Sequence, residues 1–146
     1  PHNNPKAKGA FWGFTHEHRR PDLARAVLEG VGFALADGMD ALHASGLQPK
    51  SVTLIGGGAR SAYWRQMLAD ISGQTLEYRT GGDVGPALGA ARLAQIAMNP
   101  DVSLADLLPA LALEQTHLPD PQKHHYYTDR RVTFKKLYQQ LLPLCE

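Results

Sequence analysis

The stretch Ser51–Ser61 (SVTLIGGGARS) decides the fold of this chain. It begins with a short run of β-branched and aliphatic residues, which is typical of a strand. The triple glycine that follows permits a tight turn with positive φ angles and leaves no side chain between the backbone and a ligand. Ser61 can then cap a helix through its hydroxyl. The stretch therefore predicts a strand, a bare turn and a helix, in that order.

The same order repeats toward the C-terminus. A buried helical face is expected at Trp64, Met67, Leu68 and Ile71. Gly73 ends this helix, Thr75–Arg79 reads as a second strand, and a third helix runs from the Thr80–Pro86 turn to about Met98. The βαβα order predicts an α/β fold with the strands in one sheet and a right-handed crossover if they are parallel.

The flanking segments carry weaker signals. Gly9–Phe14 is short and aromatic, which suits a strand or an extended edge, and Pro21 opens a long helix. The apolar stripe expected to pack in that helix is Ala24, Leu28, Val31, Leu35, Met39 and Leu42. Asp101–Pro121 is predicted to be a linker with one short helix, and Thr128 or Asp129 to cap a last helix.

Composition excludes several classes of protein. The 146 residues, 43% apolar and 20% charged, are typical of one soluble globular domain, and the net charge of +1 gives no footprint for nucleic acid or an anionic membrane. No apolar stretch approaches the roughly 18 residues of a membrane span. The single cysteine, Cys145, favours a reducing, cytoplasmic compartment. The first residue is Pro1 rather than Met, so we expect the chain to be cut from something longer. The sequence leaves open whether the protein forms a homodimer.

Two interpretations of the glycine loop stay open at this point. The helix that follows Gly56–Gly58 directs free N–H groups and the positive end of its dipole toward the loop, which suits a phosphate or another electron-rich group. No Lys-Ser/Thr pair follows, so it is not a Walker loop, and the dinucleotide spacing GxGxxG fails. The alternative is a turn that merely connects strand to helix. The second loop, Gly81–Asp83, also lies between a strand and a helix and could line the same cleft, but we favour a simple turn with Asp83 as a helix cap.

Other polar residues do not predict a catalytic or metal site. His16-Glu17-His18 lacks the H-E-x-x-H spacing and is expected to be a loop, and His124-His125 a polar turn. No Ser/His/Asp arrangement is recognisable, and Cys145 is too terminal for a nucleophile. Glu29 lies in a mostly apolar helix, where it could face solvent or a cleft between domains.

Several ordered motifs together resemble the FGGY carbohydrate kinases. Gly9–Phe14, followed after seven residues by Asp22–Glu29, resembles the second signature of that family, with Phe14 where an aliphatic residue is usual. Gly56–Gln66 resembles the family's adenosine motif, and Leu88–Ala91 matches the helix after it. These matches are correctly spaced and cover most of the chain.

The resemblance implies an α/β, actin-like ATPase fold of the ribonuclease-H-like type. Such kinases have two domains, with ATP and sugar in the cleft between them. Residues 1–146 would be the later part of the C-terminal, nucleotide-binding domain, while the sugar-binding residues and the proton-accepting aspartate would lie upstream. No residue of this chain is therefore expected to be catalytic or to bind a metal.

The resemblance also implies an activity and a cofactor site. The whole enzyme would use ATP and Mg²⁺ to phosphorylate D-xylulose. Gly57, Gly58 and Ala59 would line the adenosine pocket with backbone, Gly56 would set the turn, and Ala62 would lie near the adenine. Two alternatives remain, namely a family member acting on another ketose or polyol, and a non-catalytic interaction module with the same fold.

Overall fold

The computed structural model describes residues 4–145; Pro1, on which the expectation of a longer chain rests, lies outside them. The chain forms two compact units. The helical unit contains the described residues of Pro1–Gln48, Asp70–Gly73 and Pro119–Glu146, and the sheet unit contains Pro49–Ala69 and Gln74–Leu118. The elements in chain order are α1 (Arg20–Ala44), β1 (Val52–Thr53), α2 (Ala62–Ser72), β2 (Leu76–Arg79), α3 (Pro86–Met98), α4 (Leu104–Leu107), β3 (Leu113–His117) and α5 (Pro121–Leu141). Short 3-10 helices occupy Gly57–Arg60, Gly82–Val84 and Leu142–Cys145.

The sheet has the order β1-β2-β3. β1 and β2 are parallel, with Val52 opposite Leu76, which confirms the predicted strand–helix–strand unit. β3 runs antiparallel to β2, with His117 opposite Leu76. The prediction of a linker across Asp101–Pro121 is therefore wrong at its end. The reason is that β3 is largely polar and exposed, so it carries no apolar pattern.

The core of the sheet unit lies between α2 and the strands. Leu68, Ala69 and Leu76 are buried, with Val52, Leu54 and Trp64 packed against them. Met67 is also buried, as is Ile71 in the part of α2 that belongs to the helical unit, so the predicted face of α2 is confirmed. Burial of this face holds α2 against the strands. The position of α2 in turn places the glycine loop that precedes it.

In the helical unit, α1 begins where sequence predicts. The Arg19 N–H donates to Asp22 Oδ2 at 2.8 Å, and Pro21 lies in the first turn. The expected apolar stripe is wrong, because Val31, Leu35 and Leu42 are about half exposed. The buried residues of α1 are Glu29, Gly32, Phe33 and Ala36.

Aromatic and ionic contacts join α1 to α5. The Phe33 ring lies 6.1 Å from that of Tyr127 and 5.4 Å from that of Phe134, measured between centroids. Arg131 bonds Asp37 and Asp40 at 2.6 Å each. This pairing explains why the hydrophobic pattern of α1 misled, since the face that packs on α5 is partly charged.

Two further local predictions are wrong. The strand considered for Gly9–Phe14 is absent and the segment is exposed, while the alternative of an extended edge stays a prediction. α5 starts at Pro121 with Asp120 as its N-cap, since Asp120 Oδ1 accepts from the N–H groups of Gln122 and Lys123. Thr128 and Asp129 therefore lie inside α5. Among the helices described for residues 4–145, none has the length and apolar character needed to cross a membrane.

Candidate functional site

The glycine loop leaves β1 through a conformation that favours glycine. Gly56 has φ of 96°, in the region where side chains are strained. Its N–H donates to the carbonyl of Gly82 at 2.7 Å, so the loop is tied to the segment after β2. The predicted role of Gly56 in setting the turn thus has a local conformational basis.

The next residues form a short 3-10 helix with an open surface. The Ala59 N–H donates to the Gly56 carbonyl at 2.9 Å, and the Ser61 N–H donates to the Gly58 carbonyl at 3.2 Å. Gly57 and Gly58 are exposed, whereas Ala59 is buried. A Cβ built at Gly57 would meet no atom within 4 Å. The bare backbone at Gly57 can therefore be approached directly by a ligand.

α2 starts immediately after this turn. Ser61 Oγ accepts from the Trp64 N–H at 3.2 Å, which confirms Ser61 as the predicted cap. Ala62 is the first residue of α2 and is exposed. The positive end of the α2 dipole thus follows directly on the 3-10 helix that carries the exposed glycines, and a helix N-terminus suits an electron-rich ligand.

The second glycine loop lies against the first. Arg60 Nη2 is 2.9 Å from Asp83 Oδ2, and a Cβ built at Gly85 would lie 3.5 Å from the Gly56 Cα. The predicted helix cap at Asp83 is wrong, because Gly85 is the N-cap of α3 and Asp83 belongs to the preceding 3-10 helix. Asp83 instead pairs with Arg60, so it joins the two loops.

Sequence reasoning missed Arg65, a buried arginine below the loop. Its Nη1 donates to the Ala59 carbonyl, and its Nε donates to His117 Nε2 at 2.9 Å. The missed signal was its spacing, since Arg65 precedes the buried Leu68 and Ala69 by three and four residues on one helical face.

The structure also shows the surroundings of Glu29, which the sequence left open. Glu29 is buried, and its carboxylate lies 2.7 Å from Arg25 Nε and 3.2 Å from Arg130 Nη2. Burial alone would lower the pKa of Arg25, but the hydrogen bond and charge of Glu29 raise that pKa above its usual value. The open question about Glu29 is thus answered by an ion pair inside the helical unit.

The two histidine motifs differ in outcome. The first motif, His16-Glu17-His18, lies in a turn before α1, as predicted. There His18 Nδ1 lies 2.9 Å from Thr15 Oγ1, and the His18 ring stacks on Phe14. The predicted turn at His124-His125 is wrong, because both residues lie in α5 and His124 Nδ1 bonds the Asp70 carbonyl at 3.0 Å. No group of three or more His, Cys, Asp or Glu positioned to hold a metal ion occurs between residues 4 and 145.

Comparison with known proteins identifies the class to which this fold and loop belong. The sequence model described as the FGGY family of carbohydrate kinases, C-terminal domain, matches residues 1–98. The chain belongs to the FGGY family of carbohydrate kinases. The predicted fold class, a partial C-terminal domain of the actin-like ATPase type, is confirmed by the match to solved FGGY kinases.

Particular relatives are xylulose kinases. The chain is 74% identical over 144 residues to xylulose kinase of Escherichia coli K12, covering 99% of this chain and 30% of that protein. It is 59% identical to xylulose kinase of Klebsiella pneumoniae, with the same coverage. The crystal structure of xylulose kinase from Rhodospirillum rubrum superposes with a TM-score of 0.80 at 30% identity, covering 97% of this chain and 29% of that one. The chain thus spans about 30% of the length of these relatives.

Proposed function

We propose that this chain forms the adenosine-binding side of the nucleotide site in an ATP-dependent kinase that converts D-xylulose to D-xylulose 5-phosphate. One observation carries the proposal. The exposed glycines Gly57 and Gly58 lie in the short 3-10 helix that precedes α2, and a Cβ built at Gly57 would meet no atom within 4 Å, in a chain 74% identical to E. coli xylulose kinase. A bare backbone at a helix N-terminus suits a nucleotide, which presents a flat ring system and negative charge.

The loop residues would divide the binding task. Gly57 and Gly58 would offer exposed backbone to the adenosine, and Gly56 sets the turn that presents them. Ala59 would border the pocket and hold the turn, because its N–H and carbonyl are both bonded within the protein. Ala62 would touch the adenine with its methyl group only.

The rest of the reaction belongs to other parts of the enzyme. We assign residues 1–146 to the later part of the C-terminal domain of a two-domain kinase. The sugar site and the proton-accepting aspartate would lie in sequence preceding this chain. Phosphoryl transfer needs mainly positioning and charge neutralisation, and Mg²⁺ would enter with the phosphates of ATP. We expect a cytoplasmic enzyme with ATP or ADP and sugar as its partners, without a nucleic-acid or membrane partner; homodimer formation is left to measurement.

Two measurements on the full-length kinase that contains this chain test the proposal. Titration calorimetry should detect ADP binding; its absence would leave the non-catalytic module as the better account. An assay against a panel of ketoses and polyols should give the highest kcat/KM with D-xylulose. A higher value for another sugar would keep the kinase assignment and overturn the substrate.

A further inference from the structure

Arg65 lies directly below the loop that is proposed to meet the nucleotide. Its side chain is buried, with the residue 6% exposed, and its Nη1 donates to the Ala59 carbonyl. The N–H of Ala59 is also occupied, since it donates to the Gly56 carbonyl. Hydrogen bonds therefore fix the residues on both sides of the exposed pair Gly57 and Gly58, namely Gly56 and Ala59. Arg65 provides one of the hydrogen bonds that hold Ala59.

Arg65 is itself fixed by the sheet. Its Nε donates to His117 Nε2 at 2.9 Å, and its Nη2 donates to Gln115 Oε1; both residues belong to β3. The guanidinium carbon lies 4.2 Å from the ring centroid of Tyr78 on β2. A guanidinium is planar and carries its donors in a rigid fork, so contacts on several sides set its orientation. Through Arg65, the position of the Ala59 carbonyl is therefore fixed relative to β2 and β3.

The charge of Arg65 is not cancelled by these contacts. The Ala59 carbonyl, the Gln115 amide and the Tyr78 ring are neutral groups. His117 accepts at Nε2 and likewise supplies no negative charge. A buried positive charge below an exposed backbone favours an anion above it, because low dielectric surroundings screen the interaction weakly.

We propose that Arg65 is a positioning residue of the nucleotide site, which fixes Gly57 and Gly58 through the Ala59 carbonyl and adds positive potential under the bound nucleotide. The inference rests on the proposed function and goes beyond it, because it assigns a role to a residue outside the glycine loop. Arg65 touches no substrate in this role and acts through the backbone.

The test uses Arg65→Met and Arg65→Lys in the full-length kinase. Arg65→Met keeps similar bulk but removes donors and charge, so the Kd for ADP and the KM for ATP should rise about tenfold or more, the loss expected for one charge-assisted hydrogen bond. Arg65→Lys keeps the charge without the planar fork and should fall between wild type and Arg65→Met. The KM for sugar should change less than about twofold in both variants.

The matched control is Arg131→Met, which removes a largely buried arginine side chain that forms ion pairs with Asp37 and Asp40 in the helical unit. It should lower the melting temperature without raising the Kd for ADP. If Arg131→Met weakens ADP binding as strongly as Arg65→Met, general destabilisation explains the effect and the inference is overturned.

Two reference measurements separate the inference from the function on which it depends. If the wild-type kinase does not bind ADP, the proposed function fails and the inference fails with it. If the wild type binds ADP and Gly58→Val weakens that binding, while folded Arg65→Met does not, only the role of Arg65 is overturned. Should Arg65→Met not fold, Arg65→Lys and Gln115→Leu decide: a raised Kd for ADP with an unchanged sugar KM supports the inference, and an unchanged Kd in both overturns it.

Discussion

At the scale of single residues, a glycine can either leave backbone exposed at the surface or allow a backbone conformation that the fold requires. A Cβ added at Gly58 would lie 3.3 Å from two atoms of the Trp64 ring, on a segment that is otherwise exposed. A Cβ added at Gly73 would lie 2.7 Å from His124 Cε1, and Gly73 has φ of +67°. The first position thus bears on the exposed backbone that is proposed to meet the nucleotide, and the second on the end of α2.

We expect Gly58→Val in the full-length kinase to raise the KM for ATP about tenfold while leaving the KM for sugar nearly unchanged. The branched side chain would cover the exposed backbone and push on Trp64. Steady-state kinetics with each substrate varied in turn will measure both values. The control is Gly38→Val, since a Cβ at Gly38 meets no atom within 4 Å. Equal increases in both KM values would contradict the adenosine assignment.

Two alanine substitutions should shift stability in opposite directions. Gly73→Ala should lower the free energy of unfolding by about 1–2 kcal/mol, because the left-handed backbone strains a side chain and His124 must move. Gly38→Ala should raise it by about 0.5–1 kcal/mol, since alanine restricts the unfolded chain and fits an open position inside α1. Urea unfolding of the 146-residue chain measures both values. If Gly73→Ala were more stable than wild type, the strain expected from the left-handed backbone and from the contact with His124 would be contradicted.

At the scale of elements, helix positions follow local signals and helix faces do not. α2 and α3 occupy nearly the predicted ranges, because a cap, a terminal glycine or a following proline marks each end. The packed face of α1 was mispredicted, since its contact with α5 combines Phe33 with Asp37 and Asp40. A hydrophobicity pattern cannot find a face whose charges are paired by another helix.

The α1–α5 contact should weaken in acid. Burial alone would raise the pKa of Asp37, but hydrogen bonds and charge from Arg131 and Lys135 hold that pKa below its usual value. A carboxyl with a lowered pKa stabilises the fold above its unfolded pKa of about 3.9, and that contribution is lost as the pH falls through the folded pKa.

Asp37→Asn measures this contribution. The variant should be less stable than wild type by about 1 kcal/mol or less at pH 7, and the difference should shrink as the pH falls below about 4. Urea unfolding at several pH values gives the comparison, with Asp101→Asn in an exposed turn as the control. A difference that is independent of pH would mean that Asp37 acts through its shape and not its charge.

At the scale of the whole molecule, the chain spans about 30% of the kinases it resembles. We expect the purified 146-residue chain to phosphorylate no sugar, because the proton-accepting aspartate and the sugar site are assigned to other sequence. An ATP-dependent assay with D-xylulose measures this, with the full-length kinase as the positive control. Sugar phosphate formed by the chain alone would refute the division of labour proposed above.

The sequence by itself determined the βαβα order, the family and the glycine loop, because glycines, caps and β-branched runs act on the backbone near them. Tertiary structure alone decided that the polar strand β3 joins the sheet, that Asp83 meets Arg60, and that Arg65 lies beneath Ala59. The first two contacts join residues far apart in the chain, and Arg65, although only six residues from Ala59, is held by His117 and Gln115 about fifty residues away. Their strength comes from burial and directional hydrogen bonds, which form only when packing brings the partners together.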